Sequence, residues 1–400
     1  MASFSVRFLG CKVSHVDSQE IRERLLADGH SERNRGGDGT ADVAVVNTCC
    51  VTHEAVRKSR HAASRAARTH KRVYVTGCGA NLAADGFDGL PENVVVLPRR
   101  SEETPDAVAR DVGAIGCVKA DARLDRIRAF VKVQDGCSFS CAFCVIPQVR
   151  GASRSRPAEA VLREVRRRVA QGHREVVLTG INLGCYRDRE AGYGLPRLVR
   201  EAGSVPGLAR LRLSSIEINH VNAELAEALR ETAAVARHLH VPLQSGDDAV
   251  LRAMGRRYDA ATYLRRVEPL ADFNLTTDAI VGFPGEDEAA FARTLSVIEA
   301  AGVTRVHVFP YSPRPGTTTA AADTVPSAVK RKRSERLRIA SRRASLARWR
   351  EKLGREDVVL VDRPGRGYGD DYSPWLLDAP VGALVRVRGG AVCDDGVIAQ

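Results

Sequence analysis

The sequence predicts an α/β protein with an N-terminal parallel α/β domain over 1–98, a linker over 99–125, a partial (β/α)6 barrel over 126–353 and a small C-terminal all-β domain over 354–400. Three observations carry this expectation. Short apolar runs alternate with amphipathic stretches through the first hundred residues, the pattern of parallel βαβ units. The alternation resumes near Arg128 and repeats six times, as in a barrel whose chemistry sits at the strands' carboxyl ends. The last fifty residues change to short β signals between Gly-, Pro- and Asp-rich turns, the mark of a compact barrel.

In order, Phe4–Leu9 reads as a strand and His15 to Asp28 as a helix; the turn Asn34 to Gly39 precedes an apolar run at Ala41–Val46. A helix from His53 to Arg68 leads to runs at Arg72–Thr76 and Val94–Leu97. The stretch 99–125, marked by Pro, Gly and charge, reads as linker. Barrel strands are expected at Phe130–Val133, Val176–Thr179, Arg210–Ser214, His238–Leu243, Leu275–Val281 and Arg305–Phe309, with helices including Ala158–Gln171, Asp287–Ala300 and a long one from Ser327 to about Leu353. Asp357–Val361, Ala383–Arg388 and a run near Val397 are the β signals of the last domain.

Composition narrows the function. A 400-residue chain with 44% hydrophobic and 28% charged residues can bury a core without disulfides. The net charge of +12 favours a polyanionic partner, and 5% aromatics argue against a base-stacking RNA module as the main body. The chain has no apolar run long enough to span a bilayer, and its first ten residues lack the core of a signal peptide, so the expectation is a cytoplasmic protein without a membrane partner.

Ten cysteines in such a setting point to metal binding or reactivity rather than bridges. Cys137, Cys141 and Cys144 form a C-x3-C-x2-C directly after the first barrel strand. Three thiolates on one short loop suit a cuboidal iron–sulfur cluster, held by cysteine sulfur. One iron without a protein ligand leaves an open coordination position, by the logic of catalytic zinc sites. Cys11, Cys49 and Cys78 each follow one of the first three strands, so a parallel sheet would gather them at one carboxyl edge. Spacing alone leaves open whether they bind metal or are merely scattered. Cys117, Cys185 and Cys393 stand alone and read as small apolar residues.

At Gly136-Cys137-Ser138-Phe139-Ser140-Cys141-Ala142-Phe143-Cys144 the sequence resembles the radical S-adenosylmethionine (SAM) enzymes. The resemblance implies that Cys137, Cys141 and Cys144 hold a [4Fe–4S] cluster whose unique iron chelates SAM, with Phe143 beside the adenine. It continues through Thr179-Gly180, Ser214-Ser215-Ile216-Glu217, Val241-Pro242-Leu243-Gln244-Ser245-Gly246 and Ile280-Val281-Gly282-Phe283-Pro284. That places Gly180, Ser215, Glu217, Gln244 and Gly282 in a SAM pocket, where the bare backbone of Gly282 would let the chain approach the cofactor. Each segment alone is also an ordinary strand-to-helix turn. Gly10-Cys11-Lys12-Val13, Asn47-Thr48-Cys49 and Thr76-Gly77-Cys78 resemble the methylthiotransferase branch, in which Cys11, Cys49 and Cys78 would hold a second, auxiliary [4Fe–4S] cluster. Cys50 departs from that pattern and competes with Cys49 as ligand; the Asn-Thr-Cys alignment favours Cys49.

The final domain is placed like the RNA-binding TRAM domain of this family. Thr52-His53-Glu54-Ala55 and Val308-Phe309-Pro310-Tyr311-Ser312 with Arg314-Pro315-Gly316-Thr317 resemble the tRNA-directed enzymes acting on N6-threonylcarbamoyladenosine at position 37, while Ser14 and Gly79 depart from them. The resemblance implies a partner tRNA anticodon loop, a low-potential electron donor and a monomeric enzyme. One electron would cleave SAM to methionine and a 5′-deoxyadenosyl radical, and the auxiliary cluster would carry the sulfur, with both clusters facing one chamber and a flipped-out adenosine between them. Residues 327–352 hold eleven Lys or Arg against two Glu, and residues 53–72 hold seven against one. Arg57, Lys58, Arg60, Arg342 and Arg343 are the expected RNA contacts; a stripe of Leu337, Ala340, Ala344 and Ala347 would dock the long helix and turn its arginines outward. The plain alternative is a solvated helix face. Competing functions are methylthiolation of isopentenyladenosine-37 or of a ribosomal-protein aspartate, and a non-catalytic iron–sulfur RNA-binding protein.

Overall fold

The computed structural model describes residues 2–33, 41–83, 85–98, 103–113 and 127–400; Cys117, the Asn34–Gly39 turn and most of the expected linker lie outside them. The chain forms two compact units. The first comprises Met1–Leu124, Asp135–Arg154 and Ser312–Ala320; the second comprises Asp125–Gln134, Ser155–Tyr311 and Ala321–Gln400.

The first unit is built on β1 (Ser3–Phe8), β2 (Ser31–Glu32), β3 (Val43–Thr48), β4 (Arg72–Gly77) and β5 (Val94–Val96). They form one parallel sheet in the order β2-β1-β3-β4-β5. Strand β3 is buried along its whole length, as a strand covered on both faces must be. Alternate residues face opposite ways. Ala44, Val46, Val73 and Val75 pack on Ala62, Ala63 and Ala67 of α2 (His53–Ala67). Val43, Val45 and Tyr74 pack with Ile21 and Leu25 of α1 (Lys12–Ala27). Short helices α3 (Cys78–Leu82), α4 (Thr104–Val112) and α5 (Ile146–Arg150) complete the unit. Helix α4 occupies part of the stretch read as linker. Its Pro105 sits in the first turn, where proline starts a helix rather than breaking it, and Val108 is buried beside Ile21 and Leu25.

In the second unit six parallel strands follow one another in sequence: β6 (Arg128–Lys132), β7 (Glu175–Thr179), β8 (Arg210–Leu213), β9 (His238–His240), β10 (Asn274–Val281) and β11 (Val303–Pro310). They pair as two trios, with a single parallel bridge, Leu211 to Val235, at the seam. This is the expected open barrel. Among the helices outside it are α6 (Ala158–Ala170), α7 (Leu195–Gly203), α8 (Ala223–Glu231), α9 (Glu288–Ala300) and α10 (Ser327–Arg350), and Leu162, Leu198, Leu229, Phe291 and Leu337 from them share one core with the strands.

Helix α10 docks by a different face from the one expected. Its buried residues are Lys330, Arg333, Ser334, Leu337 and Ser341, whereas Ala340 and Ala344 are half-buried and Ala347 is exposed. The buried face is ionic because its charges are met. Lys330 Nζ donates to the Tyr311 carbonyl at 3.2 Å and pairs with Asp323; Arg333 pairs with Glu286 at 2.7 Å.

The C-terminal residues close a five-stranded barrel from β12 (Glu356–Arg363), β13 (Arg366–Tyr368), β14 (Pro374–Leu376), β15 (Leu384–Cys393) and β16 (Gly396–Ala399). Strand β13 lies within a stretch read only as turns. Val359, Trp375, Val387 and Val397 fill the barrel. Arg210 and Arg212 of β8 donate to the carbonyls of Val358, Tyr368, Gly369 and Asp370 at 2.6–3.1 Å, so the small barrel caps the open one. Among the described residues no helix is long and apolar enough to cross a membrane.

Candidate metal centre

Cys11 follows β1 as the residue before α1, Cys49 and Cys50 follow β3, and Cys78 opens α3 directly after β4. The register pairs Phe8 with Asn47 and Thr48 with Gly77, so the strands end level and the cysteines share one edge. The turn into Cys78 requires glycine: Gly77 has φ +88°, and a Cβ there would lie 2.0 Å from Asn47 Oδ1. The departure at Gly79 has a steric reason, since a Cβ would lie 2.7 Å from Thr48 Oγ1. Burial pushes the Cys49 thiol up to about 11, and the nearby sulfurs of Cys78 and Cys11 add to it. The three thiols thus lie near enough to influence one another's charge. Cys50 is also buried, but its thiol donates a hydrogen bond to Cys78 and neighbours Cys49 and Arg314, among Val145 and Val149. The Cys78 thiol is held below its ordinary value by the bond from Cys50 and by Arg150, against its burial.

The second trio sits in a loop of the same unit. Cys137 N donates to the Gly151 carbonyl at 3.0 Å, and Cys144 N to that of Cys141 at 3.1 Å. The Phe139 N–H points at Cys137 Sγ, 3.5 Å away. Residues 312–320 clasp both cysteine regions. Thr318 and Thr319 hydroxyls donate to the Ala142 carbonyl at 3.1 and 2.9 Å, Gln148 donates to the Gly316 carbonyl at 2.7 Å, and Arg314 donates to that of Cys50 at 3.3 Å.

Arg150 joins the two regions. It ends α5, six residues beyond Cys144, and is 7% exposed. Its Nε donates to Cys78 Sγ at 3.1 Å, Nη1 to both oxygens of Asp135 at 3.0 and 3.1 Å, and Nη2 to Asp17 at 2.8 Å and Ser14 Oγ at 3.4 Å. Sequence reading missed Arg150, Asp17 and Asp135, and saw Ser14 only as a departure; their link exists only in three dimensions.

Among the described residues no three His, Cys, Asp or Glu side chains are gathered tightly enough for a single metal ion. A cuboidal cluster makes a different demand, one thiolate per iron. The donor set fits it: each region offers three cysteine sulfurs, and N–H donors aim at Cys137 and Cys78 as they do around anionic sulfur.

The SAM-pocket candidates divide. Phe143 lies half-buried in the cysteine loop. Gly180 and Ser215 follow β7 and β8; Gly180 N donates to Ser214 Oγ at 3.0 Å, and a Cβ there would meet Gln134 Oε1 at 2.8 Å. Gln244 takes φ +68°, rare for a side-chain-bearing residue, and bridges to β10 at Ala279. Glu217 is engaged with Asn219 and, at 3.3 Å, with Arg256. The space a Cβ of Gly282 would need is taken by the Lys330 stem, 2.4 Å away, so the bare backbone there admits a lysine side chain.

The basic candidates divide too. Arg57 and Lys58 are exposed but share Glu54. Arg60 is spent on the carbonyls of Gly86 and Asp88 at 2.6 and 2.7 Å, and Arg342 on Asp394 at 2.7 Å. Arg343 is exposed. Cys185 is not a plain apolar residue, since its sulfur lies 3.3 Å from His220 Nε2. Cys393 accepts from Asp395 N at 3.4 Å.

Residues 131–298 match the model of the Radical SAM superfamily, and residues 3–97 match Uncharacterized protein family UPF0004. The chain is 34% identical over 423 residues to "Threonylcarbamoyladenosine tRNA methylthiotransferase MtaB" of Thermotoga maritima, covering 100% of this chain and 96% of the relative. It is also 34% identical over 418 residues to "tRNA-2-methylthio-N(6)-dimethylallyladenosine synthase" of Cereibacter sphaeroides, covering 96% and 94%. In fold it is similar to the radical S-adenosylmethionine methyltransferase TsrM of Kitasatospora setae, with a TM-score of 0.58 at 15% identity over 80% of this chain and 75% of that one. The chain belongs to the radical SAM methylthiotransferase family.

Proposed function

We propose that this protein is a cytoplasmic tRNA methylthiotransferase that converts N6-threonylcarbamoyladenosine at position 37 to its 2-methylthio derivative. The observation that carries the reading is the presence of two cysteine trios in one compact unit, with Arg150 reaching from the loop of one to a sulfur of the other. Cys137, Cys141 and Cys144 would hold the SAM-binding [4Fe–4S] cluster, and Cys11, Cys49 and Cys78 the auxiliary one; Cys49 is chosen over Cys50 because its sulfur neighbours both Cys78 and Cys11. Together with SAM and a low-potential electron donor, these groups supply the radical that removes an unactivated C2 hydrogen and the sulfur and methyl that replace it.

The protein's own part is to position and to shield. The 312–320 segment fixes the Cys49–Cys50 turn and the Cys141–Cys144 loop from one side. Arg150 neutralises Asp17 and Asp135 while donating to sulfur. Phe143, Gly180, Ser215, Glu217, Gln244 and Gly282 are the candidates for SAM contact, and Arg57, Lys58 and Arg343 are the most open of the candidates for tRNA phosphate. Two relatives with different printed substrates match at equal identity; threonylcarbamoyladenosine is preferred on the resemblance of the residues from Val308 to Thr317, of which Arg314 and Gly316 bond to the Cys50 turn and to Gln148.

Mass spectrometry of nucleosides from a deletion strain tests the substrate. Loss of the methylthio group from threonylcarbamoyladenosine is expected, restored by the wild-type gene and not by Cys141→Ala. Retention of that group, with loss from isopentenyladenosine instead, overturns the assignment.

A further inference from the structure

We infer that Arg150 is a positioning residue of the auxiliary cluster, setting its reduction potential through the N–H donated to the Cys78 sulfur. The inference rests on the reading of Cys78 as a cluster ligand. The guanidinium is buried and every direction of its fork is used: Cys78 Sγ at 3.1 Å, Asp135 at 3.0 Å, Asp17 at 2.8 Å and Ser14 Oγ at 3.4 Å. Its orientation is therefore fixed by two carboxylates on separate segments, and the Nε–H cannot turn from the sulfur without breaking a buried ion pair. The side chain is held further from behind. Asn81, three residues past Cys78, donates to the carbonyl of Val149 at 2.9 Å. A small cavity of about 20 Å³ lined by Asp17, Cys78, Asp135 and Arg150 lies beside the network, large enough for about one water molecule.

A hydrogen bond to a ligand sulfur stabilises the more negative, reduced cluster and so raises the potential. Lysine keeps the charge but is a point donor, without the planar fork that serves a sulfur and two carboxylates together. Arg150→Lys therefore separates the directed bond from the charge. Because Arg150 comes from the loop that carries Cys137, Cys141 and Cys144, the order of one region is communicated to the sulfur chemistry of the other.

The test uses the full chain carrying Cys137→Ala, Cys141→Ala and Cys144→Ala, reconstituted so that only the auxiliary cluster remains, with iron content and a redox titration followed by electron paramagnetic resonance. With Arg150→Lys added, about four irons are retained and the potential falls, by about 59 mV for each tenfold change in the one-electron equilibrium. An unchanged potential at full iron content overturns the inference and leaves the functional reading intact. If the parent with the triple substitution binds no cluster, the functional reading itself fails, and the inference with it. Should Arg150→Lys not fold, Asp17→Glu keeps the charge while shifting the carboxylate that aims the same guanidinium; the potential again falls, and an unchanged value is equally fatal.

Discussion

Gly77 joins a strand to a ligand. Its backbone has φ +88°, and any Cβ would drive into Asn47 Oδ1, so Gly77→Ala both strains the turn and displaces Cys78. A loss of about 1–3 kcal/mol from the backbone alone is expected, with a further loss from the clash; a lower urea midpoint and fewer irons per chain after reconstitution would register the two effects. The cysteines were legible because their positions relative to strand ends are a property of sequence order. Arg150, Asp17 and Asp135 were not, since charged residues 15 and 133 positions apart have no local signature. Gly282 was legible only in part. A glycine at a strand end announces a close approach but not the group that makes it, and the approach of Lys330, which is remote in sequence, has no local signature.

Helix α10 shows how far periodicity reaches. Its existence and length follow from the sequence, but the buried face does not, because a stripe of small apolar residues competes with one of charged residues that find partners only after folding. Arg333 is 5% exposed and paired with Glu286. Arg333→Ala is expected to cost about 3–5 kcal/mol by leaving the buried Glu286 without its cation, read as a shifted chemical-denaturation midpoint. Arg338 and Arg343 are exposed on the same helix, and replacing both by alanine should leave that midpoint within about 0.5 kcal/mol. It should also weaken tRNA binding and reduce the salt dependence by about one unit of slope per lost phosphate contact. An unaltered slope would remove α10 from the RNA interface. Helix α4 was missed for a related reason: proline and charge mark a helix start as readily as a linker, and only the burial of Val108 distinguishes them.

The second unit is cooperative across what the sequence divides into two domains. Arg210 and Arg212 share the buried carboxylate of Glu175 and spend their remaining donors on carbonyls of the C-terminal barrel. Truncation after residue 353 should therefore yield insoluble protein rather than a working barrel; a soluble, reconstitutable 1–353 fragment would contradict this. Asp371 adds a pH dependence. Burial raises its pKa, but Lys352 and Arg348 outweigh burial and hold it below the ordinary value. A depressed carboxylate contributes stability above its unfolded value near 4, and that contribution disappears as pH falls through the folded value. Asp371→Asn should thus lower the urea midpoint at pH 7 and cost progressively less toward pH 3. The boundaries between domains were the least legible feature, because a boundary depends on which distant segments meet. The cysteine-bearing unit illustrates this most fully, being assembled from three separate stretches of chain. Its final piece, which grips Ala142 and Cys50, leaves the ribosome long after Cys144 does; at about 5–20 residues per second the interval is roughly 10–35 s. Throughout that time the Cys50 turn and the Cys141–Cys144 loop lack the fastening that Arg314, Thr318 and Thr319 later supply.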